Sequence, residues 1–134
     1  KSRLIPCVNP GNVAKIEAAP VCAIIGYDTM FWEHLPQLFP HRDMTAQYRD
    51  NAEHAETVAF RNGTLQGAYF MLGARAMGMD FGAMSGFNNK AVDEEFFSGT
   101  TIKSNFLCNI GYGDASGLFQ KLPRFDFDDV CEII

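Results

Sequence analysis

A proline-free segment from about Ala52 to Met77 constrains the fold of this chain more than any other part of the sequence. Apolar residues recur in it at intervals of three and four, which predicts one long helix with an apolar stripe. The members of that stripe are Val58, Leu65, Ala68, Tyr69, Leu72 and Ala76. Gly78 follows the segment, and we expect it to end the helix.

Small residues form a second stripe on the same helix, at intervals of four: Ala55, Ala59, Gly63 and Gly67. Two glycines inside a helix cost about 2 kcal/mol relative to alanine, so we expect a close contact with another element, most simply another helix, to compensate. The residues alone leave two interpretations open. The stripe packs within the same subunit, or it forms a dimer interface.

The other predicted elements surround this helix. An apolar run from Val21 to Ile25, ending at Gly26, predicts a central strand covered on both faces, and Phe106 to Ile110 predicts a second inner strand. Strands and helices alternate without a repeat. This order indicates an α/β or α+β sandwich in which the long helix packs on a sheet.

Shorter helices are predicted on either side of these elements. We expect Thr29 to cap a helix that runs through His34 and is stopped by Pro36, followed by a loop, Leu35 to Arg42, that is either a lid or a packed crossing. Asn88 or Asn89 is expected to cap a helix through about Phe97. Further expectations are a helical turn within Val13 to Ala18, another within Asp126 to Cys131, and a solvent-facing acidic run at Asp93, Glu94 and Glu95.

Composition excludes several functional classes. A chain of 134 residues with 47% hydrophobic residues fits one compact domain. Its net charge of -5 repels a phosphate backbone, so we expect no nucleic-acid partner. No apolar run approaches the roughly 20 residues that cross a bilayer, so we expect no membrane contact. The scattered cysteines Cys7, Cys22, Cys108 and Cys131 predict reduced thiols in a cytoplasmic protein.

Common catalytic and metal-binding motifs are absent from the sequence. Gly111-Tyr112-Gly113-Asp114 lacks the third glycine of a dinucleotide-binding loop, and there is no Walker, GxSxG or HExxH motif. The three histidines, His34, His41 and His54, lack metal-ligand spacing, so no metal site is predicted. An acid–base enzyme using His41 with Asp43 or Asp50 rests only on proximity in sequence.

Two segments suit a ligand. Small residues from Gly82 to Phe87, which we place between two helices, leave backbone N–H groups open to a flat cofactor, although the residues alone favour a tight connection in which glycine only permits the turn. Lys121 and Arg124, on either side of Pro123, suit a phosphate or are ordinary surface charges.

Seven segments together carry a family resemblance that covers nearly the whole chain, from about Asn12 onward. They are Leu35–His41, Glu56–Asn62, Met84–Phe87, Val92–Gly99, Lys103–Asn105, Gly111–Asp114 and Leu122–Arg124. In this order they resemble the malonic semialdehyde reductase branch of the nitroreductase family. Ser-Gly-Phe or Leu-Pro-Arg taken singly is a weak signal, whereas so many segments in order are specific.

This resemblance implies an FMN-dependent oxidoreductase that uses NADH or NADPH. The implied fold is an α+β, nitroreductase-like sandwich, a central sheet flanked by helices, with flavin sites at the interface of an intertwined homodimer formed by the long helix. Hydride would pass in ping-pong fashion to a small carbonyl acid such as malonic semialdehyde, or to a nitro or quinone acceptor. Since the chemistry takes place on the flavin, no catalytic protein nucleophile is expected.

The resemblance also assigns residues. Ser85 and Gly86 match the loop whose backbone N–H groups face the flavin N5 and O4 edge, with Met84 just before them. Arg124 matches the arginine that contacts the FMN phosphate, while Lys121 stands one residue out of register with the family's lysine. The resemblance does not assign the residue that would meet a substrate carboxylate. Such a carboxylate needs a cation, and the candidates from the lid-like loop are His41, Arg42 and Arg49.

One part of the family pattern is missing. An Arg- and Ser-rich flavin-binding segment and a Pro-Ser-Ala-x-Asn type loop, which the family places early in its chain, are not found here. Residues 1–134 therefore resemble a single domain comprising the C-terminal two-thirds of a nitroreductase-like FMN domain, for which we expect reduced FMN affinity. The alternative is a truncated, non-catalytic dimerisation or binding module without cofactor.

Overall fold

The computed structural model of the chain describes residues 1–134. It contains six α-helices: α1 (Pro10–Ala18), α2 (Leu35–Leu38), α3 (Thr45–Arg49), α4 (Ala52–Ala76), α5 (Asn89–Phe96) and α6 (Phe127–Val130). The three strands are β1 (Val21–Asp28), β2 (Asp80–Met84) and β3 (Ile102–Gly111), and short 3-10 turns lie at Ile5–Cys7, Phe31–His34 and Ala115–Gly117. The α+β prediction is confirmed.

The three strands form one antiparallel sheet in the order β1-β3-β2. The prediction of a central strand at Val21–Ile25 is wrong in position, because β3 alone has a partner on both sides and β1 lies at the edge. The apolar run in β1 arises from helices above and below it: Cys22 and Ile24 pack on the core at one face, and Ile25 approaches α4 at the other.

Strand β2 occupies the segment predicted to connect two helices. Its sequence, Asp-Phe-Gly-Ala-Met, has no β-branched residue, so local propensity does not favour a strand. Pairing with β3, from Asp80 opposite Gly111 to Met84 opposite Leu107, outweighs that weak propensity. The chain returns from the sheet into α5 only after Met84.

The small-residue stripe of α4 packs on the sheet of the same chain. Ala55, Ala59, Gly63 and Gly67 are all buried. A Cβ on Gly63 would lie 2.9 Å from Cβ of Tyr27, and one on Gly67 would lie 2.6 Å from the ring of Phe106. Of the two interpretations, packing within the subunit is therefore the observed one, and the close neighbour is a sheet and not a second helix.

The apolar stripe of α4 points away from the sheet over much of its length. Leu65, Tyr69 and Leu72 are 56%, 75% and 64% exposed. Periodicity identified the stripe correctly, but the chain leaves these side chains uncovered.

The opposite face of the sheet carries the apolar core. Its buried members come from the N-terminal turn, α1, the loop between β2 and α5, α5 itself and β3: Leu4, Cys7, Ile16, Phe87, Val92 and Leu107. Cys7 and Cys108 are buried and Cys22 is half-buried, whereas Cys131 is exposed and is not a core thiol. Burial raises the pKa of the Cys22 and Cys108 thiols.

Capping residues set the ends of the main helices. The Asn51 side chain accepts a hydrogen bond from the His54 N–H at the start of α4, and Gly78 adopts φ +82° after its end. Asn88 caps α5 by accepting from the Ala91 N–H, as predicted.

The predictions for the helix after β1 are wrong. Thr29 caps no helix, since its hydroxyl donates to the Thr101 carbonyl. Pro36 lies in the first turn of α2, where its missing N–H is tolerated, so it does not stop a helix.

Asp93 on α5 is half-buried and is not part of a solvated acidic face. Its Oδ1 accepts the Ser104 N–H of β3 at 2.7 Å. Glu94 and Glu95 are exposed, as expected.

Residues 112–134, the terminal arm, are exposed along their whole length. The arm carries large apolar side chains, among them Phe119 at 96% exposure, and ends in the predicted helical turn, α6. None of the helices in the chain is long and apolar enough to span a membrane.

Candidate functional site

The loop after β2 holds the residues that the sequence assigns to the flavin edge. β2 ends at Met84, and the chain leaves the sheet at Ser85. The Gly86 carbonyl accepts hydrogen bonds from the Asn9 N–H at 2.9 Å and from Asn12 Nδ2 at 3.1 Å. The Asn9 bond belongs to an antiparallel bridge between Val8 and Phe87, whose second bond runs from the Asn88 N–H to the Cys7 carbonyl, so three hydrogen bonds fix this loop against the N-terminal segment.

The backbone N–H groups of Ser85 and Gly86 make no hydrogen bond within the chain. Ser85 is exposed and Gly86 is half-buried, so neither donor is sealed beneath side chains. Because an N–H group seeks an acceptor, two adjacent free donors at the end of a strand form a binding point for an electronegative ligand edge.

Ser85 lines a groove of about 360 Å³ between α4 and the sheet, which we call the α4–β2 groove, whereas Gly86, the next residue, is not part of its lining. Its walls are largely apolar, and Thr64 and Asn105 supply polar side chains. Its lining comprises Phe60, Thr64, Ala68, Met71, Ala83, Met84, Ser85, Asn105 and Phe106. The Met84 sulfur lies 4.0 Å from Asn109 Nδ2. A flat, mostly apolar ring system suits such a groove.

Lys121 and Arg124 are in the terminal arm and are exposed. Nη1 of Arg124 donates to the carbonyls of Leu122 at 2.8 Å and Pro123 at 3.0 Å, so the guanidinium folds back on its own backbone. Neither residue lines the α4–β2 groove. Within one chain the structure does not bring these cations to Ser85, and their role as phosphate ligands stays a prediction.

His41, Arg42 and Arg49 are exposed on the segment between α2 and α4. The His41 ring packs edge-on against Phe39 with centroids 4.3 Å apart, and Arg49 Nε donates to Asp50 at 2.9 Å. None of the three lines the α4–β2 groove, so one chain does not bring the substrate candidates and the flavin-edge candidates together.

The acid–base hypothesis finds no support in this geometry. Asp43 accepts the Thr45 N–H at 2.8 Å, which lowers the pKa of its carboxyl, and the hydrogen bond from Arg49 lowers the pKa of Asp50. No hydrogen bond or ion pair joins His41 to either carboxylate. Carboxylates so stabilised in the charged form are weaker bases.

A second cavity, of about 470 Å³, lies on the other side of α4, and the sequence gives no sign of it. It is bounded by β1, by α4 and by the segment between Phe31 and Tyr48. Its aromatic walls include Tyr27, and Asn62 and Gln66 add amides. It is created by tertiary packing, since β1, α4 and the segment between Phe31 and Tyr48 each supply part of its wall.

A charged cluster ties the first turns of α4 to the sheet. Glu56 Oε1 accepts from Lys103 Nζ at 2.7 Å and from the Tyr27 hydroxyl at 3.3 Å. The hydrogen bond from Lys103 lowers the pKa of Glu56, whereas burial, followed by the charge of Glu56, raises the pKa of Tyr27. The chain contains no group of three or more histidine, cysteine, aspartate or glutamate side chains arranged to hold a metal ion.

Comparison with known sequences shows which family this chain belongs to. A family model described as the nitroreductase family matches residues 6–112. A protein of Burkholderia lata, provisionally named NADH dehydrogenase/NAD(P)H nitroreductase, is 56% identical over 133 residues, which cover 99% of this chain and 68% of that protein. A similarly named protein of Ralstonia pickettii, HadB, is 52% identical and is matched over 69% of its length.

Solved structures have the same fold. The provisionally named nitroreductase ydfN of Bacillus subtilis superposes with a TM-score of 0.88 at 17% identity, covering 99% of this chain and 72% of that one. A provisionally named nitroreductase of Exiguobacterium sibiricum, crystallised in complex with FMN, superposes with a TM-score of 0.80 at 18% identity, covering 99% and 70% of the two chains. The fold is therefore nitroreductase-like, and the chain belongs to the nitroreductase family of oxidoreductases.

Proposed function

We propose that this protein is an FMN-dependent NAD(P)H oxidoreductase whose flavin edge rests on the backbone of Ser85 and Gly86. One observation carries the proposal: Ser85, the first of two adjacent residues whose N–H groups have no acceptor in the chain, lines a largely apolar groove. The names of the relatives support a nicotinamide co-substrate, and the FMN complex of the Exiguobacterium sibiricum protein supports the flavin.

The residues present fit one edge of such a cofactor. The flavin, when bound, supplies the centre that accepts and releases hydride. The N–H groups of Ser85 and Gly86 donate toward the edge where negative charge develops on reduction, and fixed donors of this kind stabilise charge without reorganisation. The bonds from Asn9 and Asn12 to the Gly86 carbonyl hold the donors in place.

The apolar walls of the α4–β2 groove contribute by excluding water. Phe60, Met71 and Phe106 offer no polar side chain, so a ring bound against them would displace water and lower the dielectric constant around the Ser85 N–H. Arg124, placed on an exposed arm, is proposed to meet the FMN phosphate, with Lys121 as a weaker contributor.

The acceptor is proposed to be a small carbonyl acid such as malonic semialdehyde, or a nitro or quinone compound, reduced in a ping-pong cycle. The names of the relatives favour the nitro compounds. His41, Arg42 and Arg49 are the cations proposed to meet an acceptor carboxylate, and their exposure leaves them available. Residues 1–134 would then act as one domain that corresponds to the C-terminal two-thirds of the flavin domain.

A homodimer is part of this proposal. We propose the exposed apolar stripe of α4 and the apolar terminal arm as the contact surfaces of the dimer. Large exposed apolar patches of this kind usually mark interfaces. Pairing of two copies would also allow the arm and the groove of different chains to form one site, which a single chain does not do. The cytoplasmic location stays a prediction.

Titration of the purified protein with FMN tests the proposal. We expect flavin fluorescence to be quenched on binding, and the visible absorbance of the bound flavin to bleach with NADH or NADPH under anaerobic conditions and return on addition of a nitroaromatic, quinone or malonic semialdehyde. A protein that leaves flavin fluorescence unchanged at every concentration would overturn it and would favour a cofactor-free dimerisation or binding module.

A further inference from the structure

Strand β3 contains a β-bulge next to the α4–β2 groove. Ile25 of β1 pairs with Phe106, but the next residue, Gly26, pairs with Ser104, so Asn105 is an extra residue in β3 without a partner in β1. A bulge bends the strand and redirects side chains, and bulges are over-represented beside functional sites. Here the Asn105 side chain reaches the α4 side of the sheet, where it contacts Thr64.

Helix α5 holds the bulge from the other side. Ser104 is 4% exposed, and its N–H and carbonyl bond to α5 side chains. Asp93 Oδ1 accepts the N–H at 2.7 Å, and Asn89 Nδ2 donates to the carbonyl at 2.9 Å. With both backbone groups satisfied, the irregular geometry leaves no buried polar group unpaired at this point.

The Asn105 amide is oriented by a neighbour on α4. Its Nδ2 donates to Thr64 Oγ1 at 2.8 Å, and the Thr64 hydroxyl donates in turn to the Phe60 carbonyl at 2.8 Å. Because the NH₂ end is used in this way, Oδ1 is left as an acceptor with no partner in the chain, and Asn105 lines the groove.

Strand register places this acceptor beside the free donors. Met84 pairs with Leu107, and continuing the antiparallel register would set Ser85 level with Phe106 and Gly86 level with Asn105. The chain leaves the sheet at that level, and Ser85, whose N–H is free, lines the same groove as Asn105, whose Oδ1 is free. Such an edge offers donors and an acceptor together.

We infer that Asn105 is a flavin-binding residue whose Oδ1 accepts a hydrogen bond from the cofactor, and that Thr64 is the positioning residue that orients its amide. On its polar edge a flavin ring carries an N–H donor between two carbonyl acceptors. This pattern is complementary to a free backbone N–H donor at Ser85 and a free Oδ1 acceptor at Asn105. The inference rests on the proposed function.

The opposing explanation is that the Asn105–Thr64 bond only fastens β3 to α4. The two explanations differ in what Thr64→Val does, since valine keeps the shape of the side chain and removes the hydrogen-bond acceptor. A purely structural bond would affect stability without changing flavin affinity. An orienting bond would weaken flavin binding in both the Thr64→Val and the Asn105→Ala variants.

The experiment compares FMN dissociation constants by fluorescence quenching, together with melting temperatures measured without FMN. We expect Asn105→Ala to weaken binding about five- to tenfold, the effect of one lost hydrogen bond, and Thr64→Val to weaken it about two- to threefold. Thr57→Val is the matched control, because Thr57 is exposed on the same helix and does not line this groove. It should bind FMN as the unaltered protein does.

The outcomes separate this inference from the proposed function. If the unaltered protein binds FMN and both variants bind it equally well, the inference is wrong and the proposed function stands, whatever the melting temperatures do. If the unaltered protein binds no FMN, both are wrong. Should Asn105→Ala fail to fold, Thr64→Val decides the question, since its site on the exposed helix surface tolerates substitution.

Discussion

Tyr27 and Gly63 meet at the closest approach of β1 and α4, where a Cβ added to Gly63 would lie 2.9 Å from the Tyr27 Cβ and 3.2 Å from the Gly26 carbonyl oxygen. Neither neighbour is the flexible end of a side chain, so the space cannot open without moving the strand. The absence of a side chain at Gly63 is what sets the distance between helix and sheet.

Gly63→Ala is therefore expected to destabilise the fold by about 1–3 kcal/mol, because the clash outweighs the gain in helix propensity. Gly73→Ala is the matched control: it lies in the same helix with nothing within 4 Å of its added Cβ, and should stabilise by about 1 kcal/mol. Urea unfolding monitored by circular dichroism measures both. Equal stabilisation by the two substitutions would contradict the contact.

The role of the two stripes of α4 illustrates what the sequence leaves open. The period of the pattern predicted the helix, and the proline-free segment with Gly78 predicted its extent, because such signals act locally. The period did not predict which stripe is buried. A stripe of small residues is stabilised by burial only where a particular strand approaches the helix closely. That approach depends on Tyr27 and Phe106, which are distant from α4 in sequence.

The candidate site likewise contains residues that the sequence located and residues that only the folded structure shows. Ser85 and Gly86 were located through a family resemblance; their N–H groups are free, and their role at the flavin stays a prediction. Asn105 was not singled out as a site residue, because its direction depends on the register between β1 and β3, which no local pattern specifies. Asp93 was misjudged as a solvated charge, since its partner Ser104 is reached only after the chain has folded back.

Glu56→Gln should lower stability at neutral pH by about 0.5 kcal/mol, the range of a half-exposed ion pair. The bond from Lys103 depresses the pKa of Glu56 below its usual value of 4.5, so the stabilisation is present above that pH and is lost as the pH falls through the lower, folded-state pKa. The measurement is the unfolding midpoint of the unaltered protein and of Glu56→Gln at several pH values from neutral to acidic. The difference between the two midpoints should shrink to zero in acid.

Glu94→Gln provides the control for this pH dependence. Glu94 faces Lys90 at 3.8 Å with both side chains largely exposed, so its removal should change stability little at any pH. A gap between Glu56→Gln and the unaltered protein that persists in acid would mean that Glu56 acts through packing and not through its charge.

Gly86→Ala tests the anchoring of the flavin-edge loop. An added Cβ would lie 2.5 Å from Asn12 Nδ2 and would displace the amide that donates to the Gly86 carbonyl. We expect a loss of stability of about 1 kcal/mol, and weaker FMN binding because the free N–H groups shift. Gly82→Ala, with nothing within 4 Å of its added Cβ, should leave FMN affinity unchanged. If calorimetric titration gives the same affinity for both variants, the loop does not need this anchor.

The double variant Leu65→Gln, Leu72→Gln tests whether a second copy covers the outer stripe of α4. Both side chains are more than half exposed in the single chain, so within a monomer the substitutions should change stability by no more than about 0.5 kcal/mol. In the proposed homodimer they would place two amides in an apolar interface, and burying an amide without a hydrogen bond costs about 1–3 kcal/mol. Sedimentation equilibrium should then show the dimer dissociating at protein concentrations at least tenfold higher than for the unaltered protein.

Glu53→Gln, an exposed substitution in the first turn of the same helix, is the control and should leave the dissociation constant of the dimer unchanged. A dimer that tolerates both leucine substitutions must be held together elsewhere, and the terminal arm with Phe119 would then be the surface to change next.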